Sequence, residues 1–258
     1  MSTLRDFIKQ LDYLAQLRKI RFWILKTWQK TILHKRSDVT FTIYSGNKRL
    51  LGQLCDLYGS DKGTNNFEQH PFDWWPHRYT DFYEILFHSI RKDVRNVLEC
   101  GIGTSNAAYP ANMGRGAKPG ASLRVWRDYF PDAMIYGVDI DPEVLFFEER
   151  ISTFFMDQTN PDSVAAALAS FLPGTFDLII DDGLHTFEAN LNLFNNSKFL
   201  MSNRGLYVIE DVTPSNMKKL LSTISAYDEF ESTPIIFHEK GRSQELNSLL
   251  LIRRCIPS

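Results

Sequence analysis

The sequence is poor in cysteine and has no long apolar run. Of its 258 residues only Cys55, Cys100 and Cys255 are cysteines, and no two of them form a CxxC pair. This number and spacing exclude a disulfide framework and a structural zinc site, and they suit a reducing compartment. No apolar stretch reaches the roughly 18 residues that span a bilayer, and no signal peptide is recognisable, so we expect a cytoplasmic protein.

The chain also lacks a large excess of charge of either sign. It has 29 Lys and Arg against 31 Asp and Glu, which gives a formal net charge of −2. This balance argues against a dedicated nucleic-acid-binding protein. The hydrophobic share of 43% is that of an ordinary globular protein, and the length suits one large domain or one domain with accessory segments.

The first 36 residues depart from this balance. They carry nine Lys and Arg against two Asp, and apolar residues recur at helical spacing from Leu4 to Ile32. The pattern predicts a basic amphipathic helical segment over 1–36. Such a segment can pack on the rest of the chain or on a second subunit of a homo-oligomer. It can equally bind an acidic partner or the anionic inner face of a membrane, without crossing it.

Strand and helix patterns alternate along most of the remaining chain. We predict an accessory or lid region over 37–92, with a helix at 77–87, and a main domain over 93–258. Strands are predicted at about 95–100, 134–139, 152–156, 176–181, 205–210, 230–237 and 246–253, and helices at about 122–130, 142–149, 161–171, 186–200 and 214–226.

This alternation predicts an α/β Rossmann-like fold with a parallel sheet covered on both faces. The stretch between the last two strands is too short for a helical crossover, so these strands should pair as an antiparallel hairpin. We therefore expect seven strands, mostly parallel, with an antiparallel last strand.

The first two strands end in a pattern typical of nucleotide binding. Glu99 runs into Gly101 and Gly103, where glycine allows the backbone to approach a ligand closely. The next strand ends at Asp139, whose carboxylate can accept hydrogen bonds from both ribose hydroxyls. The glycine- and proline-rich stretch 109–120 between these strands predicts a flap over the site.

Two later strands end in acidic residues. The stretch 177–185 reads Asp-Leu-Ile-Ile-Asp-Asp-Gly-Leu-His, and 207–211 reads Tyr-Val-Ile-Glu-Asp. Carboxyl ends of parallel strands meet at one edge of the sheet, where open α/β sheets bind their ligands. Because Mg²⁺ prefers carboxylate oxygens and histidine is a common general base, the pattern predicts a metal site beside a base.

Four motifs together resemble the metal-dependent sugar O-methyltransferases, which include enzymes that methylate deoxysugars of macrolides such as mycinamicin and tylosin. The motifs are Ser-Leu-Arg-Val-Trp-Arg-Asp-Tyr-Phe-Pro, Tyr-Gly-Val-Asp-Ile-Asp, Ile-Ile-Asp-Asp-Gly-Leu-His and Val-Ile-Glu-Asp. The resemblance covers about residues 95–212 and departs from the family at Leu184, where serine is common. It implies the class I methyltransferase fold, S-adenosylmethionine, a divalent metal (usually Mg²⁺) and a histidine base acting on a sugar hydroxyl.

The resemblance also implies roles for individual residues. Asp182 and Asp211 match the metal-binding aspartates, Glu99 matches a further acidic ligand, and His185 matches the base that acts with Asp182. We expect Asp181 to cap or orient rather than to bind the metal. Glu210 is a candidate metal ligand second to Asp211. The residues assigned to the cofactor are Glu99, Gly101, Gly103, Ser122 (as a helix N-cap), Arg124, Asp139, Asp157 and Gln158. His77, Arg78 and Tyr79 either border the site or are structural.

The acceptor is expected to be a nucleotide-linked, polysaccharide or natural-product sugar. Three other functions stay open at this point. A phenolic acceptor would use the same chemistry, an NAD(P)-dependent oxidoreductase would share the Rossmann-like fold, and a non-catalytic scaffold would bind partners through the basic helix.

Overall fold

The protein is described from a computed structural model that covers residues 49–63, 77–116, 118–237 and 247–255. The predicted basic helix over 1–36 lies outside these ranges. Within them, no helix is both long and apolar enough to span a membrane.

Eight strands form one mixed sheet. They are β1 (Asn96–Cys100), β2 (Met134–Asp139), β3 (Phe147–Glu148), β4 (Ile151–Phe155), β5 (Phe176–Asp181), β6 (Met201–Ile209), β7 (Phe230–Ile236) and β8 (Ser248–Arg254). Their order is β3-β4-β2-β1-β5-β6-β8-β7. The strands from β4 to β6 pair in parallel, and β8 is antiparallel to both β6 and β7, which confirms the predicted hairpin.

Helices cover the sheet on both faces, as predicted. They are α1 (Leu50–Tyr58), α2 (Tyr79–Phe87), α3 (Ala121–Tyr129), α4 (Pro161–Leu168), α5 (Phe187–Ser197) and α6 (Pro214–Ile224). One core contains buried residues of α1, α2 and α3, and the other contains those of α4, α5 and α6. The chain leaves β1 toward β2 on one side and resumes at β5 on the other, so the strand order reverses beside β1. Ligands of open α/β sheets bind at such a point.

The predicted helix over 142–149 is wrong. Asp141 caps a single 3-10 turn, Pro142–Val144, and Phe147–Glu148 then forms β3. Between them, the backbone N–H and carbonyl of Phe146 both bond to the hydroxyl of Thr153 on β4. This contact with a neighbouring strand overrides the local helical pattern. It also adds a two-residue edge strand to the seven predicted.

The buried face of α2 carries aromatic side chains one turn apart. Tyr79, Tyr83 and Phe87 follow each other at i, i+4 spacing and are almost fully buried. Phe87 and Tyr83 pack edge-to-face against Trp126 of α3. Burial of each such ring contributes roughly 1.5–3 kcal/mol, so α2 is held firmly. Its packing sets the phenols of Tyr79 and Tyr83 at the carboxyl edge of the sheet.

Candidate active site

The turn after β1 touches the loop after β5. Gly101 has φ +85°, and a Cβ added there would lie 2.1 Å from the carbonyl oxygen of Asp182. The N–H of Asp182 in turn donates to the carbonyl of Cys100 at 2.9 Å. Only glycine permits this approach, so Gly101 joins the predicted cofactor turn to the predicted acidic edge.

Asp182, His185 and Asp211 meet at this edge. Each offers one ligand atom, and these atoms lie within 4.8 Å of one another. His185 and Asp211 have φ values of 58° and 52°, in the left-handed region that costs a non-glycine residue on the order of 1–3 kcal/mol. The surrounding structure holds these backbones: the carbonyl of His185, for example, accepts a hydrogen bond from Asn216 at 3.2 Å.

One ring nitrogen of the His185 imidazole, Nδ1, is buried. Among the described residues, none forms a hydrogen bond with its Nδ1. A buried polar atom without a partner is costly, and functional sites are where such atoms are found. Two carboxylates and an unsatisfied ring nitrogen are a donor set that fits a hard divalent cation with a neighbouring base.

The carboxylate of Asp211 contacts two residues that precede β1 in sequence. It accepts a hydrogen bond from the hydroxyl of Tyr79, and His77 Nδ1 lies 3.4 Å from its Oδ1. The other ring nitrogen of His77 lies 3.6 Å from Asp61. Burial alone would lower the pKa of His77, but Asp211 and Asp61 raise it to about 10. His77 is therefore a cation at neutral pH.

A buried lysine lies among three carboxylates of the same edge. Lys62 is 2% exposed, and its Nζ lies 2.5 Å from both Asp182 and Glu210, and 3.4 Å from Glu99. The hydroxyl of Tyr83 donates to the other oxygen of Glu210 at 2.5 Å. Burial opposes the charge of Lys62, but the carboxylates raise the pKa of the ammonium well above its usual range. It stays charged.

Glu99 is not brought into the group of Asp182, His185 and Asp211. Its carboxylate is fully buried and accepts a hydrogen bond from Trp126 Nε1 at 2.9 Å, with Lys62 beyond its other oxygen. Burial raises the pKa of Glu99 to about 7, against the opposing effects of Lys62 and of hydrogen bonds from Ser122 and Trp126.

Asp181 and Gln158 lie behind the loop that follows β5. Asp181 is fully buried and accepts hydrogen bonds from the side chains of Gln158 at 2.6 Å and Asn190 at 2.9 Å. The carbonyl oxygen of the Gln158 side chain accepts the N–H of Leu184 at 2.9 Å. Burial raises the pKa of Asp181 to about 6. Both side chains thus brace the loop that carries Asp182 and His185.

The predicted ribose-binding end of β2 is built from backbone donors. Asp139 is 7% exposed and accepts the N–H groups of Ile102 at 2.8 Å and Asp141 at 2.9 Å. Asp141 caps the turn that follows. Asp157, after β4, accepts the N–H and the hydroxyl of Thr159.

At the start of α3, one detail of the prediction is wrong. The N-cap is Gly120, in a left-handed conformation, and Ser122 is the second helical residue, with its hydroxyl bonded to Glu99. The guanidinium of Arg124 forms a salt bridge with Glu148 at 2.6 Å and stacks on Phe146. The contact of Arg124 with a cofactor stays a prediction.

The insertion between β1 and α3 folds back onto the glycine turn. The N–H of Met113 donates to the carbonyl of Thr104 at 2.7 Å, and that of Gly120 donates to Ile102 at 2.7 Å. A Cβ added at Gly103 would lie 2.5 Å from the sulfur of Met113. The insertion therefore borders the predicted cofactor turn, and its role as a flap stays a prediction.

Sequence reasoning missed Lys62, Tyr83 and the central place of Glu210, and left His77 and Tyr79 undecided. Lys62 stands in a polar stretch that indicated only a turn. Two of its carboxylate partners, Asp182 and Glu210, are 120 and 148 residues away in sequence. The available signal was a lysine among turn residues in a chain with three acidic strand ends, which does not specify a pairing.

The sequence was compared with those of known proteins. No protein-family model matches the sequence. The chain is 32% identical over 187 residues to 8-demethyl-8-alpha-L-rhamnosyl tetracenomycin-C 2'-O-methyltransferase from Streptomyces olivaceus, which covers 72% of this chain and 43% of that protein. It is 36% identical over 136 residues to demethylmacrocin O-methyltransferase from Streptomyces fradiae, which covers 53% and 32%.

A solved structure extends the likeness to the fold. It is the MycE methyltransferase from the Mycinamycin biosynthetic pathway in complex with Mg and SAH, with a TM-score of 0.58 and 25% identity over 82% of this chain and 58% of that chain. The chain spans less than half the length of the two Streptomyces relatives. In sequence and in fold, the chain is similar to these sugar O-methyltransferases.

Proposed function

We propose that this chain is an S-adenosylmethionine-dependent O-methyltransferase that methylates a sugar hydroxyl with the help of a divalent metal such as Mg²⁺. The observation that carries the proposal is the meeting of Asp182, His185 and Asp211 within 4.8 Å, beside the glycine turn of β1. The names of the relatives support the same reaction class.

Asp182 and Asp211 are the proposed metal ligands. Their carboxylate oxygens suit a hard cation, and the hydroxyl of Tyr79 holds the carboxylate of Asp211 by a hydrogen bond. We leave Glu99 out of the ligand set, because its carboxylate is fully buried between Trp126 and Lys62. A bound ion would supply Lewis acidity that lowers the pKa of the acceptor hydroxyl and orients it.

His185 is the proposed general base. It accepts the proton of the acceptor hydroxyl, whose oxygen then bonds to the methyl carbon. Asn216 and the Asp181–Gln158 pair hold the loop that carries the imidazole, so little freedom is lost in the reaction. S-adenosylmethionine would supply the methyl group as a sulfonium and leave as S-adenosylhomocysteine.

The cofactor is proposed to lie along the ends of β1, β2 and β4. Gly101 and Gly103, both with left-handed φ, allow close approach of the backbone, and Asp139 is the proposed ribose partner. We place Asp157 at the adenine end and Arg124 at the methionine end. We place Gln158 beside Asp157, where its amide also bonds to Asp181 and to the N–H of Leu184.

The acceptor is proposed to be a sugar on a natural product, a nucleotide or a polysaccharide. The relatives are named for rhamnosyl tetracenomycin and demethylmacrocin, and this chain covers only part of their length. A phenolic acceptor would need the same aspartates and histidine. An oxidoreductase or a non-catalytic scaffold makes no use of that set.

The proposal is tested by methyl transfer from labelled S-adenosylmethionine to a panel of free sugars, nucleotide sugars, rhamnosylated polyketides and catechols. We expect a sugar to be methylated, the activity to be lost in EDTA and to return with Mg²⁺. Full activity after exhaustive chelation contradicts the proposed metal requirement. Methylation of catechols alone contradicts the proposed sugar acceptor.

The region before the main domain has two proposed roles. The described part of the accessory region 37–92 supplies Lys62, His77 and Tyr79 to the acidic edge, and its role as a lid stays a proposal. We keep the proposal that the basic segment 1–36 contacts an anionic membrane, a partner or a second copy at the cytoplasmic side. Sedimentation with anionic and neutral vesicles, for the full chain and for a variant whose basic residues in 1–36 are neutralised, tests the membrane alternative.

A further inference from the structure

The terminal hairpin reaches the carboxyl edge of the sheet beside Asp211. In the strand order, β5 and β6 lie between the proposed cofactor strands (β4, β2 and β1) on one side and the hairpin (β8 and β7) on the other. Methyl transfer is a displacement at carbon, so the acceptor oxygen must approach the methyl group in line, opposite the sulfonium sulfur. The body of the acceptor therefore belongs on the hairpin side of Asp182 and Asp211.

The end of the hairpin is fixed to the loop that carries Asp211. The carbonyl of Ser248 accepts the N–H of Val212 at 3.2 Å, and its hydroxyl donates to the carbonyl of Val212 at 2.5 Å. Asn247 precedes Ser248, and its carbonyl accepts the N–H of Phe237 at 3.3 Å. Phe237 and Asn247 thus stand opposite each other, close to the proposed metal ligand.

The side chains of this pair lie on the face of the sheet that α2 covers. Side chains alternate between the two faces of a strand, and Ile235 and Leu249, two residues away, pack in the core of α1, α2 and α3. The ring of Phe237 accordingly lies 5.3 Å from that of Tyr79, the phenol that contacts the acidic edge. Both residues of the pair are partly exposed.

The amide of Asn247 has an oxygen that the fold does not use. Oδ1 is buried, and within the part of the chain that the structure describes no group donates a hydrogen bond to it. Native proteins rarely leave such an atom unsatisfied, and a bound ligand is one explanation. The terminal torsion of asparagine is soft, so the amide can turn and offer a ligand its oxygen or its NH₂ without breaking a hydrogen bond at Oδ1.

We infer that Phe237 and Asn247 are specificity-determining residues for the acceptor sugar: the Asn247 amide bonds to a hydroxyl next to the one that is methylated, and Phe237 packs on the ring carbons. The inference rests on the proposed sugar O-methyltransferase function. Ligand sites commonly pair an aromatic side chain with a few placed polar groups. A site that bonds a hydroxyl also rejects the analogue that lacks it, so the acceptor keeps a free hydroxyl at that neighbouring carbon.

The test measures initial rates of methyl transfer to the sugar members of the acceptor panel, which are free sugars, nucleotide sugars and rhamnosylated polyketides. Asn247→Leu keeps the approximate volume and removes both polar atoms. It should raise KM for the sugar on the order of tenfold and leave kcat nearly unchanged, because the lost bond acts in ground state and transition state alike. Phe237→Leu should raise the same KM by a smaller factor.

Two comparisons show whether the effect is specific. Asn203→Leu makes the same substitution at an exposed position near the amino end of β6 and should keep the wild-type KM and kcat. Among monodeoxy analogues of the methylated sugar, one should have the same KM for the wild type and for Asn247→Leu, because the hydroxyl that the amide binds is then absent.

The outcomes separate the inference from the proposed function. A wild type that methylates no sugar overturns both. A wild type that methylates a sugar overturns the inference alone if KM is unchanged in either variant, or if its advantage over Asn247→Leu persists for every monodeoxy analogue. Asn247→Leu should also melt no lower than the wild type, since it removes an unsatisfied buried atom. A variant that melts well below the wild type, or does not fold, assigns the amide a structural role and overturns the inference.

Discussion

The two ends of the sheet edge satisfy their carboxylates in opposite ways. At the cofactor edge, which comprises the turns after β1, β2 and β4, Asp139 accepts neutral backbone N–H groups from nearby turns. At the acidic edge, which comprises the loops after β5 and β6, Asp182, Glu210 and Asp211 meet an ammonium, an imidazole and phenols from residues more than 100 positions away.

This difference matches the proposed chemistry. Backbone donors position a carboxylate without adding charge, which suits the binding of a neutral ribose by hydrogen bonds. Fixed cations beside several carboxylates tune how much negative charge is left for a metal ion. The cofactor edge should therefore control affinity for the cofactor, and the acidic edge should control the chemical step.

The largest effect on turnover is expected at Asp182, at the acidic edge. Asp182→Asn keeps the shape of the side chain but removes a charge of the proposed metal site, so turnover should be abolished while S-adenosylmethionine still binds. Steady-state rates and calorimetry measure the two effects. Asp132→Asn, at an exposed ion pair with Arg95, is the control and should keep wild-type turnover. An active Asp182→Asn variant would remove the acidic edge from catalysis.

His185 should affect the rate more than binding. His185→Ala is expected to lower kcat by roughly 10²–10⁴-fold, as for loss of a general base, with little change in KM for either substrate. Initial rates over a matrix of both substrate concentrations measure this split. A variant within threefold of the wild type would pass the base role to another group and leave His185 with a structural role.

The same contrast explains which parts of the molecule could be predicted from sequence. Strands, the terminal hairpin and the cofactor turns depend on local patterns, such as apolar runs that end in Asp139 or Asp181, and these were predicted. Lys62 could not be placed, because its two shortest contacts are with Asp182 and Glu210, which are 120 and 148 residues away in sequence. The helix predicted at 142–149 failed for a related reason, since Phe146 is captured by Thr153 of the neighbouring strand.

Gly101 is the place where the two edges touch, so its substitution should disturb both. Gly101→Ala sets a Cβ 2.1 Å from the Asp182 carbonyl in a left-handed backbone and should cost roughly 3 kcal/mol or more. Gly174→Ala shares the left-handed φ, at 76°, but meets no atom within 4 Å, so it should cost only about 1–2 kcal/mol. Denaturant unfolding measures both. Equal costs would mean that the close approach is unimportant.

The smallest effect is expected at the ion pair between Arg124 and Glu148. Hydrogen bonds from Arg124 hold the pKa of Glu148 below its usual 4.5. Its stabilising contribution is therefore present above pH 4.5 and is lost as the pH falls through the lowered pKa. Glu148→Gln should lower the free energy of unfolding by less than about 1 kcal/mol at pH 7, and the difference should vanish in acid. Thermal unfolding from pH 7 to pH 3 checks this, and a difference that grows in acid would contradict it.

The separation of the two edges is tested most directly by titrating Asp211→Asn and Asp139→Ala each with Mn²⁺ and with S-adenosylmethionine. Asp211→Asn should lose Mn²⁺ binding and keep its affinity for S-adenosylmethionine. Asp139→Ala should keep Mn²⁺ binding and bind S-adenosylmethionine on the order of tenfold more weakly, as expected when hydrogen bonds to a charged group are lost. The account is contradicted if either variant loses both ligands, or if Asp139→Ala binds S-adenosylmethionine as the wild type does.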